Sequence, residues 1–234
     1  MIKFKKLGIN DDILSMLKIQ GISEPTPVQE QTIQLIKNGR DVIAEAQTGT
    51  GKTLAFLLPM FDNMSADINT IQGLIVTPTR ELAIQITEEA KKLASSKNLN
   101  ILAAYGGKDV GSQLKKLKGN IHLIIATPGR LLDHLSRGTV KLDNLKTLVL
   151  DEADQMLLMG FKNDIEAIID KTSKKRQTLC FSATLSSDVK KMAYKYMNNP
   201  EEIIIKKEEP TLKNIKQLLI KILSIVSTFF FCCN

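Results

Sequence analysis

Tryptophan is absent from the chain, histidine occurs twice and cysteine three times. Two of those cysteines are neighbours, Cys232 and Cys233, so no disulfide framework is available, and no Cys/His cluster has zinc-ligand spacing. That usage suits a reducing compartment. Breakers are few, with 13 glycines and 7 prolines in 234 residues, which excludes collagen-like and disordered compositions. An amino-terminal apolar segment is also missing. MIKFKKLGINDD turns acidic where a secretory leader would be apolar, so no signal peptide and a cytoplasmic location are expected. The stretch from Gln217 to Asn234, QLLIKILSIVSTFFFCCN, carries one charge, yet Lys221 interrupts it and no basic cluster flanks it. It falls short of the roughly 20 apolar residues of a membrane anchor. No membrane partner is expected, and this tail has neither turn chemistry nor a polar face.

Hydrophobic residues make up 43% of the chain, enough for a core. Short apolar runs alternate with longer stretches of helical period. The strand candidates are residues 41–46, 73–77, 101–105, 122–126, 146–151, 177–181 and 202–206. Most are continuously apolar, which suits strands covered on both faces, so the spacing predicts an α/β fold with a mainly parallel sheet and helices on each side. In residues 79–97, Leu82, Ala83, Ile86, Ala90, Leu93 and Ala94 recur at helical spacing. Residues 127–138 carry their own end signals: Thr127 as N-cap, Pro128 in the first turn and Gly138 at the stop. Further helices are expected over 10–20, 26–38 and 186–199.

Chemistry enters after the first strand, at Ala46-Gln47-Thr48-Gly49-Thr50-Gly51-Lys52-Thr53. A phosphate needs donors without bulk, and a Gly-rich turn opening a helix supplies converging N–H groups and the positive end of the helix dipole. Lys52 is placed to reach the β and γ phosphates, and Thr53 to ligate Mg2+. Ala46 stands where the generic pattern has glycine. Such a site needs an acidic element at the end of another strand, and residues 146–151 run into Asp151-Glu152-Ala153-Asp154. Asp151 suits the magnesium shell and Glu152 the positioning of an attacking water. The plainer alternative is a set of carboxylates capping the next helix, a reading that fits Asp154 in particular.

From about Phe4 to Gln217 the chain resembles the first RecA-like domain of a DEAD-box ATP-dependent RNA helicase. Seven motifs stand in family order: GISEPTPVQ (21–29), AQTGTGKT (46–53), PTRELAIQ (78–85), Gly106-Gly107, TPGRL (127–131), DEAD (151–154) and SAT (182–184). The resemblance implies a RecA-like phosphate-loop fold, with residues 1–40 as an extension carrying the adenine-reading segment, 41–210 as the ATP-binding domain, and 211–234 as the start of a linker plus the apolar tail. By resemblance Gln29 reads the adenine edge and Phe4 stacks on the base, and an amide does offer the donor and acceptor that adenine N6 and N7 require. For Phe4 the alternative is packing beneath the first helix. The resemblance also assigns Pro78, Thr79, Arg80, Gly106, Gly107, Thr127, Pro128, Gly129 and Arg130 to the RNA backbone, a sequence-tolerant mode. Ser182 and Thr184 would couple hydrolysis to strand separation, with helix capping as the alternative.

The family's second RecA-like domain contributes arginines from an HRxGRxGR-type segment, and no such segment occurs in these 234 residues. The expected function is thus an RNA helicase core that binds ATP, Mg2+ and RNA and separates short duplexes with a second RecA-like domain as partner. The alternative is a truncated, non-enzymatic ATP- and RNA-binding module. A transporter or DNA-acting motor fits less well, since no LSGGQ-like signature occurs. Lys115, Lys116 and Lys118 are expected to form a solvated helix face, and Lys174, Lys175 and Arg176 a basic turn. Cys180 should be a buried strand residue, and neither His122 nor His134 has an evident partner.

Overall fold

The computed structural model describes residues 2–107 and 119–205. The expected lysine face at 115–118 and the segment from 211 to 234 lie outside them. Among the described residues the elements run α1 (Ile2–Lys6), α2 (Asp11–Ile19), α3 (Pro27–Lys37), β1 (Val42–Glu45), α4 (Lys52–Asn63), β2 (Gly73–Val76), α5 (Arg80–Ala94) and β3 (Ile101–Ala104). They continue with β4 (Leu123–Ala126), α6 (Pro128–Ser136), β5 (Thr147–Asp151), α7 (Ala153–Leu158), α8 (Lys162–Asp170), β6 (Gln177–Ser182), α9 (Ser187–Tyr196) and β7 (Glu201–Ile204).

The strands form one seven-stranded sheet in the order β3-β4-β2-β5-β6-β1-β7, with every pairing parallel. Continuous apolar runs become such strands because successive side chains point to opposite faces and both faces are covered. Val42, Ala44, Ile75, Ile125, Val149, Leu179 and Phe181 join an apolar layer with α1 to α5. Their chain neighbours Ile43, Leu74, Val76, Ile124, Leu148, Leu150 and Cys180 join the layer with α6 to α9. Register keeps the layers apart, since Ala44 lies opposite Phe181 and Ile43 opposite Cys180. Phe181 meets Phe56 of α4 edge to face at 5.3 Å between ring centroids, a favoured aromatic geometry.

The three helices before the first strand contribute Phe4, Ile13, Leu17, Val28 and Ile33 to that first layer. The helix ends follow local rules. Thr79 accepts from the Leu82 N–H at 3.3 Å and Ser186 from that of Val189 at 3.3 Å. Thr127 occupies the N-cap position of α6 without a side-chain cap bond, and Pro128 follows in the first turn. Both histidines have partners, contrary to expectation. Nδ1 of His122 accepts from the Asn100 N–H at 2.9 Å, and Nδ1 of His134 lies 3.0 Å from the Thr139 hydroxyl. No helix among the described residues is long and apolar enough to cross a membrane.

Candidate functional site

All seven strands point the same way, so every loop leaving a carboxyl end reaches one edge of the sheet, the edge where open α/β folds bind ligands. Strand order divides that edge into two halves. The neighbours β5, β6 and β1 carry Asp151-Glu152, Ser182 and the glycine-rich loop, while β3, β4 and β2 carry Gly106-Gly107, Thr127 to Arg130, and Pro78 to Arg80. Ala46, just past β1, donates its N–H to the Ser182 carbonyl at 3.0 Å and so carries the sheet pairing into the loop.

In the first half the backbone turns through Gly49 at φ 84° and Gly51 at φ 91°, both left-handed values that suit glycine. Gly51 then caps α4. A Cβ added there would stand 2.6 Å from Nε2 of Gln29, so nothing larger than glycine fits. Lys52 opens the helix and turns inward, its Nζ 2.8 Å from Oε1 of Glu152 with both side chains buried. The Thr48 hydroxyl reaches the same oxygen at 3.5 Å. Thr53 lies on the first turn of α4, half-buried. Glu152 itself adopts φ 53° and ψ 51° as the N-cap of α7, a left-handed conformation that costs a residue with a Cβ ~1 kcal/mol or more.

Asp151, the last residue of β5, is buried, and its Oδ1 has no hydrogen-bond partner. Burial pushes its pKa up to about 7, with Lys52 pulling it down and Glu152 and Asp154 adding to the rise. An orphaned carboxylate oxygen, close enough to Lys52 at the start of α4 to feel its charge, fits a hard cation bound partly by phosphate oxygens, the usual arrangement for Mg2+. Among the described residues no group of three or more acidic, histidine or cysteine side chains is arranged to hold a metal, so such an ion would depend on the nucleotide for further ligands.

Asp154 faces elsewhere. Burial opposes its ionisation, but hydrogen bonds from Ser182, Thr184 and Gln155 outweigh it and hold the pKa below the usual carboxylate value. Its Oδ2 accepts from the Thr184 hydroxyl at 2.9 Å and the Thr184 N–H at 3.1 Å, and its Oδ1 accepts from the Gln155 N–H at 3.0 Å. Ser182 Oγ accepts from the Asp154 N–H at 3.1 Å and donates to the Thr184 carbonyl at 2.8 Å. These bonds tie the Ser182–Thr184 segment at the end of β6 to the first turn of α7.

Gln29 sits in the first turn of α3, 2% exposed. Its Oε1 accepts from the Thr26 N–H at 3.0 Å, one arm of a capping box, and its Nε2 donates to the Gly51 carbonyl at 3.0 Å. This amide ties an early helix to the phosphate loop, a contact across 22 residues of sequence. One N–H and one lone pair of the amide remain uncommitted to these bonds. Phe4 is fully enclosed within the apolar layer, with no ring face exposed, so a base would stack on it only if α1 moved.

In the second half one open depression is lined by Pro78, Arg80, Gly106, Thr127, Gly129 and Arg130, three separate sequence segments. Asp133 and Phe161 line it too, and neither stands out in the sequence. Arg80 is exposed, with its guanidinium carbon 5.2 Å from the centre of the Tyr105 ring, a cation–π distance. The signal for Tyr105 was an aromatic directly before a glycine pair. Gly107 has φ 76°, and a Cβ there would meet Nη1 of Arg80 at 2.7 Å. Glycine therefore permits the arginine to lie across that loop. The carboxyl edge thus pairs a glycine-rich turn and acids with a groove lined by two arginines.

Comparison with known proteins agrees with this geometry. The family model described as DEAD/DEAH box helicase matches residues 26–192. The ATP-dependent RNA helicase CshA of Limosilactobacillus reuteri is 48% identical over 219 residues, covering 94% of this chain and 44% of that protein. That of Listeria monocytogenes is 47% identical over 222 residues, covering 95% and 43%. The chain therefore spans less than half the length of these curated relatives. A crystal structure of a DEAD box protein from Methanococcus jannaschii superposes with a TM-score of 0.83 at 42% identity, covering 87% of this chain and 56% of that one. A hypothetical ATP-dependent RNA helicase from Sulfolobus tokodaii gives 0.77 at 34% identity, covering 84% and 57%. With its motifs, its RecA-like parallel sheet and these matches, the chain belongs to the DEAD/DEAH box helicase family.

Proposed function

We propose that the chain is the ATP-binding domain of a cytoplasmic ATP-dependent RNA helicase, acting with a second RecA-like domain in the same or another chain. The observation that carries this reading is the single carboxyl edge, where the loop from Ala46 to Thr53 and Asp151-Glu152 lie beside the groove of Arg80 and Arg130. The assignment of residues 1–40, 41–210 and 211–234 to extension, ATP-binding domain and linker with tail belongs to the same proposal.

The residues divide the work as follows. The amides of Thr48, Gly49, Thr50 and Gly51 cradle the phosphates, and the Gly51 carbonyl holds Gln29 close enough to read adenine through its remaining N–H and lone pair. Thr53 and Asp151 would hold Mg2+, which when bound supplies neutralisation of phosphate charge. Lys52 exchanges its contact with Glu152 for the phosphates. That exchange releases the Glu152 carboxylate to orient the attacking water. Ser182 and Thr184, hydrogen-bonded to Asp154 two residues beyond Glu152, transmit its state to β6. Pro78, Thr79, Arg80, Gly106, Gly107, Thr127, Pro128, Gly129 and Arg130 hold RNA by its phosphates, without reading sequence.

The test is ATP hydrolysis with and without RNA, by this chain alone and with the second domain of a close relative supplied. RNA-dependent turnover that requires the added domain and disappears with Glu152→Gln is expected. ATP and RNA binding with no turnover under any of these conditions would favour the second reading, a binding module.

A further inference from the structure

The basic turn at Lys174, Lys175 and Arg176 takes no part in that chemistry, yet it does not stand alone. It lines a depression at the opposite, amino edge of the sheet, where Lys146 precedes β5 and Arg40 precedes β1. Three stretches far apart in sequence thus bring five cationic side chains to one hollow. The carboxylates in reach are Asp41, Glu201 and Asp170, and two of these are committed. Asp41 accepts the N–H groups of Thr178 at 2.8 Å and Asn198 at 2.7 Å, and Glu201 pairs with Arg40 at 2.8 Å. Asp170 and Asp41 act on Arg176 through charge.

The cations are left in excess. Lys174 and Lys175 are exposed, and no hydrogen bond or ion pair holds either ammonium group among the described residues. Lys146 has only the Gln72 amide oxygen at 3.5 Å. Arg176 donates to the Ser173 and Tyr196 carbonyls, but its buried Nε has no partner. The amides of Asn63, Asn198 and Asn199 complete the lining. Three lysines, Lys146, Lys174 and Lys175, that pair with no carboxylate among the described residues and are set among neutral donors match a phosphodiester chain, whose oxygens accept from both and present no side-chain pattern to be read. An acidic polypeptide would need fixed spacing of its carboxylates to use the same groups, so the less demanding ligand is favoured.

We infer that this hollow is a second, sequence-independent contact site for RNA, on the face away from the nucleotide. The inference rests on the reading that the carboxyl edge binds RNA. Helix α4 runs from the phosphate loop at Lys52 to Asn63 beside the hollow, 12 residues or ~18 Å, which separates the two sites by the height of the sheet. A short oligonucleotide held in the groove of Arg80 and Arg130 does not reach it. A longer RNA that bends around the domain engages both and gains by effective concentration.

The experiment measures fluorescence anisotropy of the full chain with single-stranded RNAs of about 8 and about 40 nucleotides across a salt series. Lys174→Glu/Lys175→Glu should weaken the long RNA roughly tenfold and lower its log–log salt slope by about 1.4, two single-strand phosphate contacts, while leaving the short RNA and ATP affinity unchanged. Lys174→Ala/Lys175→Ala should fall between. Arg80→Ala/Arg130→Ala should instead weaken the short RNA. Equal affinity of the charge-reversed and unmodified chains for the long RNA overturns the inference, as does displacement of the long RNA from the Arg80→Ala/Arg130→Ala chain by polyglutamate but not by unlabelled RNA. If the unmodified chain binds only the long RNA and the Lys174/Lys175 variant abolishes it, the groove reading fails while the amino-edge site stands.

Discussion

Lys52 and Glu152 show how much the resting chain depends on one contact. Both are buried, 2.8 Å apart, and removing one partner of such a pair strands the other charge in a poorly solvated place. Lys52→Ala should therefore lower stability by ~3 kcal/mol in urea denaturation as well as removing most nucleotide affinity. Lys52→Met/Glu152→Gln should recover much of the stability and none of the affinity. Equal stability of Lys52→Ala and the unmodified chain would show that water already screens the pair. Asp151 makes the complementary point, that a buried carboxyl group with an unpartnered oxygen is held at a cost. Its proton is bound more tightly in the folded chain, up to a pKa of about 7, so the unfolded chain ionises first and folding is penalised as pH rises through that interval. Above it the penalty stays level. Thermal denaturation of Asp151→Asn without nucleotide should show a gain over the unmodified chain of up to a few kcal/mol at about pH 8 and little difference at about pH 4. A gain independent of pH would assign the effect to packing.

Between elements, the contact that matters most joins α3 to the loop before α4. The Gln29 amide bridges the Thr26 N–H and the Gly51 carbonyl, and Gly51 leaves no room for a methyl group. Gly51→Ala should cost about 1–3 kcal/mol through its positive φ and its collision with Gln29, and it should also lower ATP affinity because the cradle opens. Gln29→Ala keeps the glycine conformation but loses the tether and one arm of the capping box, so it should cost ~1 kcal/mol of stability while adenine preference over guanine falls. Competition binding with ATP and GTP separates the two variants. An analogous constraint holds in the groove, where Gly107→Ala drives a Cβ to within 2.7 Å of the Arg80 guanidinium. RNA affinity should fall there without change in ATP affinity, as read by anisotropy at fixed salt.

For the molecule as a whole, positioning and charge stabilisation make up nearly all of phosphoryl-transfer catalysis, and an arginine supplied across an interface is worth ~1000-fold or more. Tested alone, the 234 residues should hydrolyse ATP slowly and fail to separate a short RNA duplex. Adding a relative's second domain should raise turnover by orders of magnitude in a phosphate-release assay. Strand displacement by the chain alone, at the rate of a two-domain relative, would show that the arginines are dispensable.

The sequence by itself determined the parallel α/β class, the strand positions and the phosphate loop, because apolar runs, cap residues and a glycine turn opening a helix are local signals whose physics needs no distant partner. It also determined that Cys180 is buried, a thiol pushed up to about 12 by its surroundings. Tertiary structure alone decided strand order, and with it the division of one edge into a half with the glycine-rich turn and the acids and a half with the arginine groove. It alone joined Gln29 to Gly51 and Thr184 to Asp154, enclosed Phe4, gave both histidines partners, and gathered Arg40, Lys146 and Lys174 at the far edge. Apart from His134 and Thr139, five positions apart, these join residues tens to more than a hundred positions apart, set by which strand lies beside which, and no periodicity along one chain carries that information.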